Sequence, residues 1–126
     1  MSEPTNSLIA AVIDGDDAQV RRLVAQGAPV DERNRKGETP LILAAKTDQF
    51  RTAEFLLQSG ADVMAASRFG WTAGYAAQSS RLARGPEADA RDRVLAELKA
   101  RGFPFPAPHP ADLQGTLHGS AEVPAR

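Results

Sequence analysis

The side chains that could support catalysis are few and scattered. The chain has no cysteine and two histidines, His109 and His118, both in a proline-rich stretch near the C-terminal end. Neither histidine has a serine or an acid at a spacing that a helix or strand would fix, so a Ser/His/Asp or Cys/His arrangement is not supported. Two separated histidines without cysteine also make a poor metal site. We therefore expect no enzyme, no metal and no cofactor.

The other candidates for chemistry have simpler explanations. The pair Asp16 and Asp17 could be a carboxylate site, but it stands where a helix begins and favours the positive end of the helix dipole. No glycine-rich phosphate loop of the GxGxxG or Walker type occurs in the sequence. We therefore expect no small-molecule substrate.

Composition and charge favour one ordinary domain. A length of 126 residues suggests a single domain, and 42% apolar residues can support its core. The net charge of −1 argues against a dedicated nucleic-acid binder. The N-terminal apolar run is short and interrupted by acids, so we expect neither a secretion signal nor a membrane span. The absence of cysteine is compatible with the cytosol, and we expect a cytoplasmic monomer.

A turn that leads into a helix recurs along the chain. In "KGETPLILAA", Gly37 suits a tight turn, Thr39 suits a helix N-cap and Pro40 suits the first helical position. Thirty-three residues later, Gly70 and Thr72 repeat the pattern in "FGWTAGYAAQ". At the same spacing of 33 residues, "LVAQGAPVD" aligns with "LLQSGADVM". A fixed period of this size is typical of stacked repeats.

The period predicts three units of two helices each, at about 4–33, 34–66 and 67–105. Asn6 takes the cap position of Thr39 in the first unit, and the third unit carries nine extra residues between its helices. Pro86 can open a long last helix. Beyond the third unit lies a Pro-rich tail, 106–126, for which we expect little regular structure. Within it, "DLQGTLHG" at 112–119 leaves open a remnant of a fourth unit.

The stretches "GETPLILAA" and "EFLLQSGADV" resemble the ankyrin repeat. The resemblance covers about residues 4–105 and is strongest at 34–66. It implies an all-α solenoid of stacked helix-turn-helix units with projecting turns, and a protein-binding role without catalysis. The family's turn Asp is Asn34 or Ser67 here. Its Pro and Leu are Ala73 and Gly74 in the third unit, which should loosen the start of that helix.

The turn tips are the best candidates for recognising a partner, because solenoids bind through extended concave surfaces. Phe69 and Trp71 align with Lys36 and Glu38, two positions that we expect to face solvent. Beside Arg68, the two aromatics make a plausible hot spot. The alternative is that the insertion or the tail folds back over both aromatics.

Two further groups complete the predicted binding surface. The basic residues of the turns suit an acidic protein partner, or else form an ordinary solvated face; they are Arg33, Arg35, Lys36 and Arg68. The family resemblance adds first-helix positions at which ligands commonly bind. These are Lys46, Thr47, Ser79 and Ser80, with Ile13 and Asp14 as their counterparts in the first unit.

We therefore predict a protein–protein interaction module with no nucleic-acid or membrane partner. A more specific form of this prediction is that the protein is an inhibitor or antidote, which binds a cognate enzyme or toxin and blocks it. A second class is a structural module that displays the Pro-rich peptide "FPFPAPHP", 103–110, to an aromatic groove. The insertion and Phe103–Phe105 could instead cap the C-terminal end of the stack, or the insertion could be a tolerated surface loop.

Overall fold

The computed structural model describes residues 7–112, which form three stacked pairs of helices. The helices are α1 (Leu8–Ile13), α2 (Asp17–Ala25), α3 (Pro40–Lys46), α4 (Phe50–Gln58), α5 (Ala73–Gln78) and α6 (Pro86–Ala100). The first helices of the pairs, α1, α3 and α5, pack side by side in one layer, and α2, α4 and α6 form a second layer. In this part of the chain the β pairing is one isolated bridge between Ala66 and Thr72. The predicted all-α fold is confirmed.

The first helices of the second and third units begin at the predicted caps. The Thr39 hydroxyl accepts a hydrogen bond from the Ile42 N–H at 3.2 Å, and the Thr72 hydroxyl accepts one from the Tyr75 N–H at 3.0 Å. The first unit differs by one residue, because Ser7 rather than Asn6 caps α1. These caps satisfy amide groups that the helix itself leaves without partners.

The core lies between the two helix layers and runs through the whole stack. Large side chains from both layers are at most 1% exposed; they include Leu8, Val12, Leu41, Phe50, Leu56, Val94 and Leu98. Fully burying a side chain of this size stabilises the fold by about 1.5–3 kcal/mol. The buried alanines Ala44, Ala53 and Ala77 let neighbouring helices approach closely.

The nine-residue insertion is divided between a loop and a helix. The α5–α6 loop covers residues 79–85, whereas the corresponding loops cover residues 14–16 and 47–49. Helix α6 has 15 residues, against nine in α2 and nine in α4. Leu82 in the loop packs on the core, and its carbonyl accepts a hydrogen bond from Arg91 at 2.7 Å. The insertion is therefore held on the stack.

The C-terminal end of the stack is closed by residues 103–112, which we call the closing segment. Phe103 is 5% exposed and lies against Gly74, where an added Cβ would come within 2.2 Å of the Phe103 ring. The Ala107 N–H donates to the Gln78 side chain at 2.7 Å. The expectation of a loosened α5 start was wrong, because Thr72 caps the helix and Phe103 fills the space above Gly74.

The tail was expected to have little regular structure from about residue 106, and residues 107–112 differ from this. Ala107 and Pro110 are buried, and residues 110–112 are helical. Apolar packing on α5 explains the difference, since it offsets the entropy lost when the segment is ordered. Residues 113–126 lie outside the described part of the chain, as do His118 and all but the first residue of the stretch 112–119.

Candidate functional site

Each projecting turn is fixed by one polar side chain near its start. We call residues 33–38 finger A and residues 66–71 finger B. The Asn34 carbonyl oxygen accepts from the N–H groups of Lys36 and Glu38, both at 2.9 Å. In finger B, the Ser67 hydroxyl accepts from the N–H groups of Phe69 and Trp71, both at 3.2 Å. These two side chains perform the turn-forming role for which the resemblance leads one to expect Asp.

The two fingers are also bound to each other. The Arg68 N–H donates to the Lys36 carbonyl at 2.8 Å. The Arg33 guanidinium reaches forward to the Ala66 carbonyl at 3.0 Å, and the Arg68 guanidinium reaches back to the Arg35 carbonyl at 3.1 Å. Arg33 and Arg68 were predicted as partner contacts, and the structure gives both a role in holding one finger against the next.

Glu38 is buried, which corrects the prediction of an exposed position. It is 5% exposed, and its carboxylate accepts from the Asn34 amide at 2.8 Å and from the Lys46 ammonium at 2.6 Å. Burial by itself would raise the pKa of Glu38, but the hydrogen bonds from Asn34 and Lys46 outweigh it and hold the pKa below its usual value. The alignment of repeat positions predicted an exposed Glu38 because such an alignment does not show that Glu38 forms an ion pair with Lys46 of the same unit.

Lys46 connects finger A to the aromatic side chains of the third unit. Its ammonium lies 5.1 Å from the centroid of the Trp71 ring, within cation–π distance. The Trp71 ring meets the Tyr75 ring edge-on at 5.1 Å, and Tyr75 meets His109 of the closing segment at 5.4 Å. Trp71 is consequently half-buried.

Phe69 and Trp71, the two aromatic residues of finger B, differ in exposure. Phe69, at the tip of finger B, is 51% exposed. Trp71 is covered in part by Lys46 and Tyr75, and the closing segment reaches it only indirectly, through Tyr75. One aromatic side chain is therefore open to solvent and the other is held in place by its neighbours.

Two adjoining grooves lie along the fingers and the C-terminal ends of the first helices, and we call this surface the finger face. The first groove is lined by Ile13, Asn34, Arg35, Lys36, Glu38, Leu43, Lys46 and Thr47. The second is lined by Ala45, Lys46, Asp48, Trp71, Ala76, Ser79, Ser80 and Arg81. Lys46 belongs to both grooves. The four first-helix positions added by the family resemblance therefore lie on one continuous surface.

The residues that sequence reasoning missed include Asp48 and Arg81, which line the second groove, and Tyr75, which contacts the Trp71 ring. Tyr75 supports Trp71, and its signal was the departure from the family's usual His at that position. Asp48 has φ = 60° and accepts a hydrogen bond from the Ser80 hydroxyl at 2.9 Å. Arg81 stands one period after Asp48, so the repeat step itself could have found it.

The described residues contain neither a membrane-spanning helix nor a cluster of metal ligands. Between residues 7 and 112, no helix is long and apolar enough to cross a bilayer. Over the same range, no three His, Asp or Glu side chains are grouped so that they could hold a metal ion. His109 accepts a hydrogen bond from the Ala111 N–H at 3.0 Å and thus belongs to the packing of the closing segment.

Comparison with known protein families identifies the repeats. A family model described as ankyrin repeats, in three copies, matches residues 3–83. No curated protein matches the chain significantly. The matched range ends in the α5–α6 loop, so α6 and the closing segment complete the third unit beyond it.

Proposed function

The chain belongs to the ankyrin-repeat family, and on that premise we propose that it binds another protein through its finger face. Ankyrin repeats are generally protein–protein interaction modules and are typically non-enzymatic. The observation that carries the proposal is the pair of grooves that meet at Lys46, with Trp71 at one side and exposed apolar and basic side chains around them.

The finger face is ordered before any partner arrives. Fingers A and B are joined by a backbone hydrogen bond and by the side chains of Arg33 and Arg68. Ser80 adds a further link between units through Asp48. A surface that is already ordered loses less conformational entropy on binding, so more of the contact energy contributes to affinity.

The aromatic side chains supply the anchors that such a surface needs. Trp, Tyr and Arg are the residue types most often found at binding hot spots. Trp71 has one side chain on each flank, Lys46 and Tyr75, which limits its rotamers before binding. Phe69 offers an exposed apolar surface at the tip of finger B. Thr47, Ser79 and Ser80 provide polar groups along the grooves.

The Pro-rich stretch 103–110 has a different role in the structure. Phe103 and Ala107 are buried, and the Phe103 ring lies 5.2 Å from the ring of Phe105, which also packs on the core. An aromatic groove of another protein could bind this peptide only after it left α5. We therefore place the binding function on the finger face and not on the Pro-rich peptide.

The experiment is site-specific photocross-linking with the full-length chain. A photoreactive phenylalanine analogue replaces Ser79, which lines the second groove and is exposed. The matched control carries the same analogue at Ala96, an exposed position on α6 in the opposite helix layer. Both variants are irradiated in a lysate of the source cells, and the products are identified by mass spectrometry.

The proposal predicts a cross-linked protein from position 79 and not from position 96. Excess unlabelled wild-type chain should compete for that product, and excess Trp71→Ala chain should compete much less. Equal capture from both positions, or capture that both competitors suppress equally, would contradict a site on the finger face. The absence of any product from position 79 would contradict it as well.

A further inference from the structure

We infer that the finger face binds an acidic segment of its partner protein, with an apolar or aromatic side chain among the carboxylates. This inference rests on the proposed function and specifies the chemistry of the partner. The net charge of −1 hides the relevant feature, which is an uneven distribution of ion pairs between the two layers of the stack.

On the second-helix layer, arginines are offset by carboxylates of the same chain. Two of these ion pairs connect α4 to α6: Arg51–Glu87 at 2.9 Å and Arg93–Glu54 at 2.8 Å. Three more each join residues of the same helix or its cap: Arg21–Asp17 at 2.9 Å in α2, and Arg91–Asp92 at 3.2 Å and Arg101–Glu97 at 2.6 Å in α6. These pairs leave little net charge on that side of the molecule.

The finger face has less compensation of this kind. Arg33 donates to the carbonyls of Gly37 and Ala66, which carry no net charge. Over the described range 7–112, no carboxylate forms an ion pair with Arg35, Lys36 or Arg81. All three are exposed and line the two grooves.

The acidic groups of the grooves do not cancel this excess. The carboxylate of Glu38 is matched by the ammonium of Lys46 at 2.6 Å. Asp48, in the second groove, accepts a hydrogen bond from the uncharged Ser80 hydroxyl. Among the charged groups that line the two grooves, apart from Glu38 and Lys46, one carboxylate, Asp48, thus stands against the three cations Arg35, Lys36 and Arg81. The surface is positive although the whole chain is slightly negative.

Charge and apolar surface have separate roles in this inference. Exposed cations attract an acidic segment over a distance of about 8–10 Å at physiological ionic strength, and this raises the association rate and excludes basic partners. Individual exposed ion pairs contribute little to affinity. Affinity therefore requires apolar contacts, which Ile13 and Phe69 offer at 63% and 51% exposure, together with Trp71.

The test is a selection of random peptides displayed on phage against the full-length chain at low salt. Selected peptides are sequenced, synthesised with a fluorescent label, and titrated by anisotropy against wild type and variants. Arg35→Glu/Lys36→Glu changes the finger face. Arg22→Glu/Lys99→Glu changes the total charge equally at exposed positions that line neither groove, on α2 and α6. Trp71→Ala and Phe69→Ala report on the apolar contacts.

The inference predicts peptides enriched in Asp and Glu around an aromatic or large apolar residue. Arg35→Glu/Lys36→Glu should weaken their binding about tenfold or more, while Arg22→Glu/Lys99→Glu leaves it within about twofold. Raising the salt concentration should weaken binding to wild type and should hardly affect any binding that remains in the finger-face variant.

Three results would overturn it. Peptides that require Trp71 or Phe69 but show no acidic enrichment would refute the acidic partner and leave the proposed function standing. A selection with no peptide that distinguishes wild type from the Trp71 and Phe69 variants would refute both. Tight binding of a random single-stranded RNA pool, lost in Arg35→Glu/Lys36→Glu but retained in Phe69→Ala, would assign the cations to a nucleic acid instead.

Discussion

The ring of Phe103 occupies the space that a larger side chain at position 74 would need. Gly74 stands one period after Leu41, a core leucine that is 1% exposed. A Cβ at Gly74 would meet the Phe103 ring carbons at 2.2–2.8 Å. In the third unit, the Phe103 ring of the closing segment therefore fills the core position that Leu41 fills in the second unit. Two residues that are 29 positions apart together close the open end of the stack.

The first prediction is that Gly74→Ala destabilises the protein, although alanine is the better helix former. Helix propensity alone would favour Ala by about 1 kcal/mol. Overpacking a filled core typically costs about 1–3 kcal/mol, so the clash with Phe103 should prevail. We expect the free energy of unfolding, measured with urea and circular dichroism, to fall by about 1 kcal/mol.

The control for this prediction is the same substitution without the ring. In a Phe103→Ala background, which lacks every ring atom that an added Cβ would meet, Gly74→Ala should become neutral or stabilising by up to about 1 kcal/mol, because the clash is gone and the propensity gain remains. The same loss in both backgrounds would show that the Phe103 ring does not set the requirement for glycine.

The second prediction concerns the contact between the fingers. Gly37 has φ = 75°, and an added Cβ would lie 3.0 Å from both the backbone N and the Cγ of Arg68. Gly37→Ala should therefore combine strain from positive φ with a clash against finger B, at a total cost of about 2–3 kcal/mol. Thermal unfolding followed by circular dichroism measures it.

Gly27 provides the matched control for Gly37. Its φ is 92°, but no atom lies within 4 Å of an added Cβ. Gly27→Ala should lower the free energy of unfolding only through the strain of a positive φ, by about 1 kcal/mol. Equal losses at the two positions would contradict the close approach of the fingers.

The third prediction separates two neighbouring arginines of finger A. Arg33 donates to the Gly37 carbonyl at 2.8 Å and to the Ala66 carbonyl at 3.0 Å, whereas only the backbone carbonyl of Arg35 takes part in the contact between fingers. Arg33→Ala should lower the free energy of unfolding by about 1–2 kcal/mol, and Arg35→Ala should change it by less than about 0.5 kcal/mol. A larger loss of unfolding free energy, measured with urea, for Arg35→Ala than for Arg33→Ala would contradict the role of Arg33 in joining the fingers.

The fourth prediction concerns pH. The folded-state pKa of Glu38 lies below its usual value of 4.5, so the stabilisation that this carboxylate provides is present above pH 4.5 and is lost as the pH falls through the folded-state pKa. Glu38→Gln should reduce the free energy of unfolding by about 1 kcal/mol near neutral pH, because the Lys46 ammonium no longer has a carboxylate partner. As the pH falls below 4.5 and the wild-type carboxyl becomes protonated, the stabilities of the two proteins should converge.

Urea unfolding at several pH values measures this difference. Asp17 and Glu54 also have lowered pKa values, but both are retained in the variant and their contributions cancel in the comparison. A difference between wild type and variant that stays constant over the acid range would contradict the ion pair with Lys46.

The repeat plan was predictable from sequence because its signals are local. Thr39 and Thr72 mark helix starts, and each is followed by an apolar run that repeats at a step of 33 residues. The burial of Glu38 was not predictable in this way. It depends on Lys46, which is eight positions away in the chain, and an alignment of repeats compares positions without showing which side chains meet.

The sequence left open that Phe103–Phe105 caps the stack, but the contact between Phe103 and Gly74 was not predictable, for a related reason. Gly74 is a departure from the repeat pattern, and Phe103 lies after the last recognisable helix. Taken alone, a glycine inside a helix and an apolar residue in a Pro-rich segment would each be expected to contribute little to stability. Only the fold brings them into contact, because α6 returns the chain to the open end of the stack next to α5.

The most direct measurement of the central claim is the affinity of the partner captured from position 79 for wild type and for Phe69→Ala/Trp71→Ala. Isothermal titration should show a loss of about 2 kcal/mol or more for the double variant, which is roughly a thirtyfold weaker Kd. The circular dichroism spectra should show that both proteins are folded at the temperature used. An unchanged Kd in a folded double variant would contradict the finger face as the binding site.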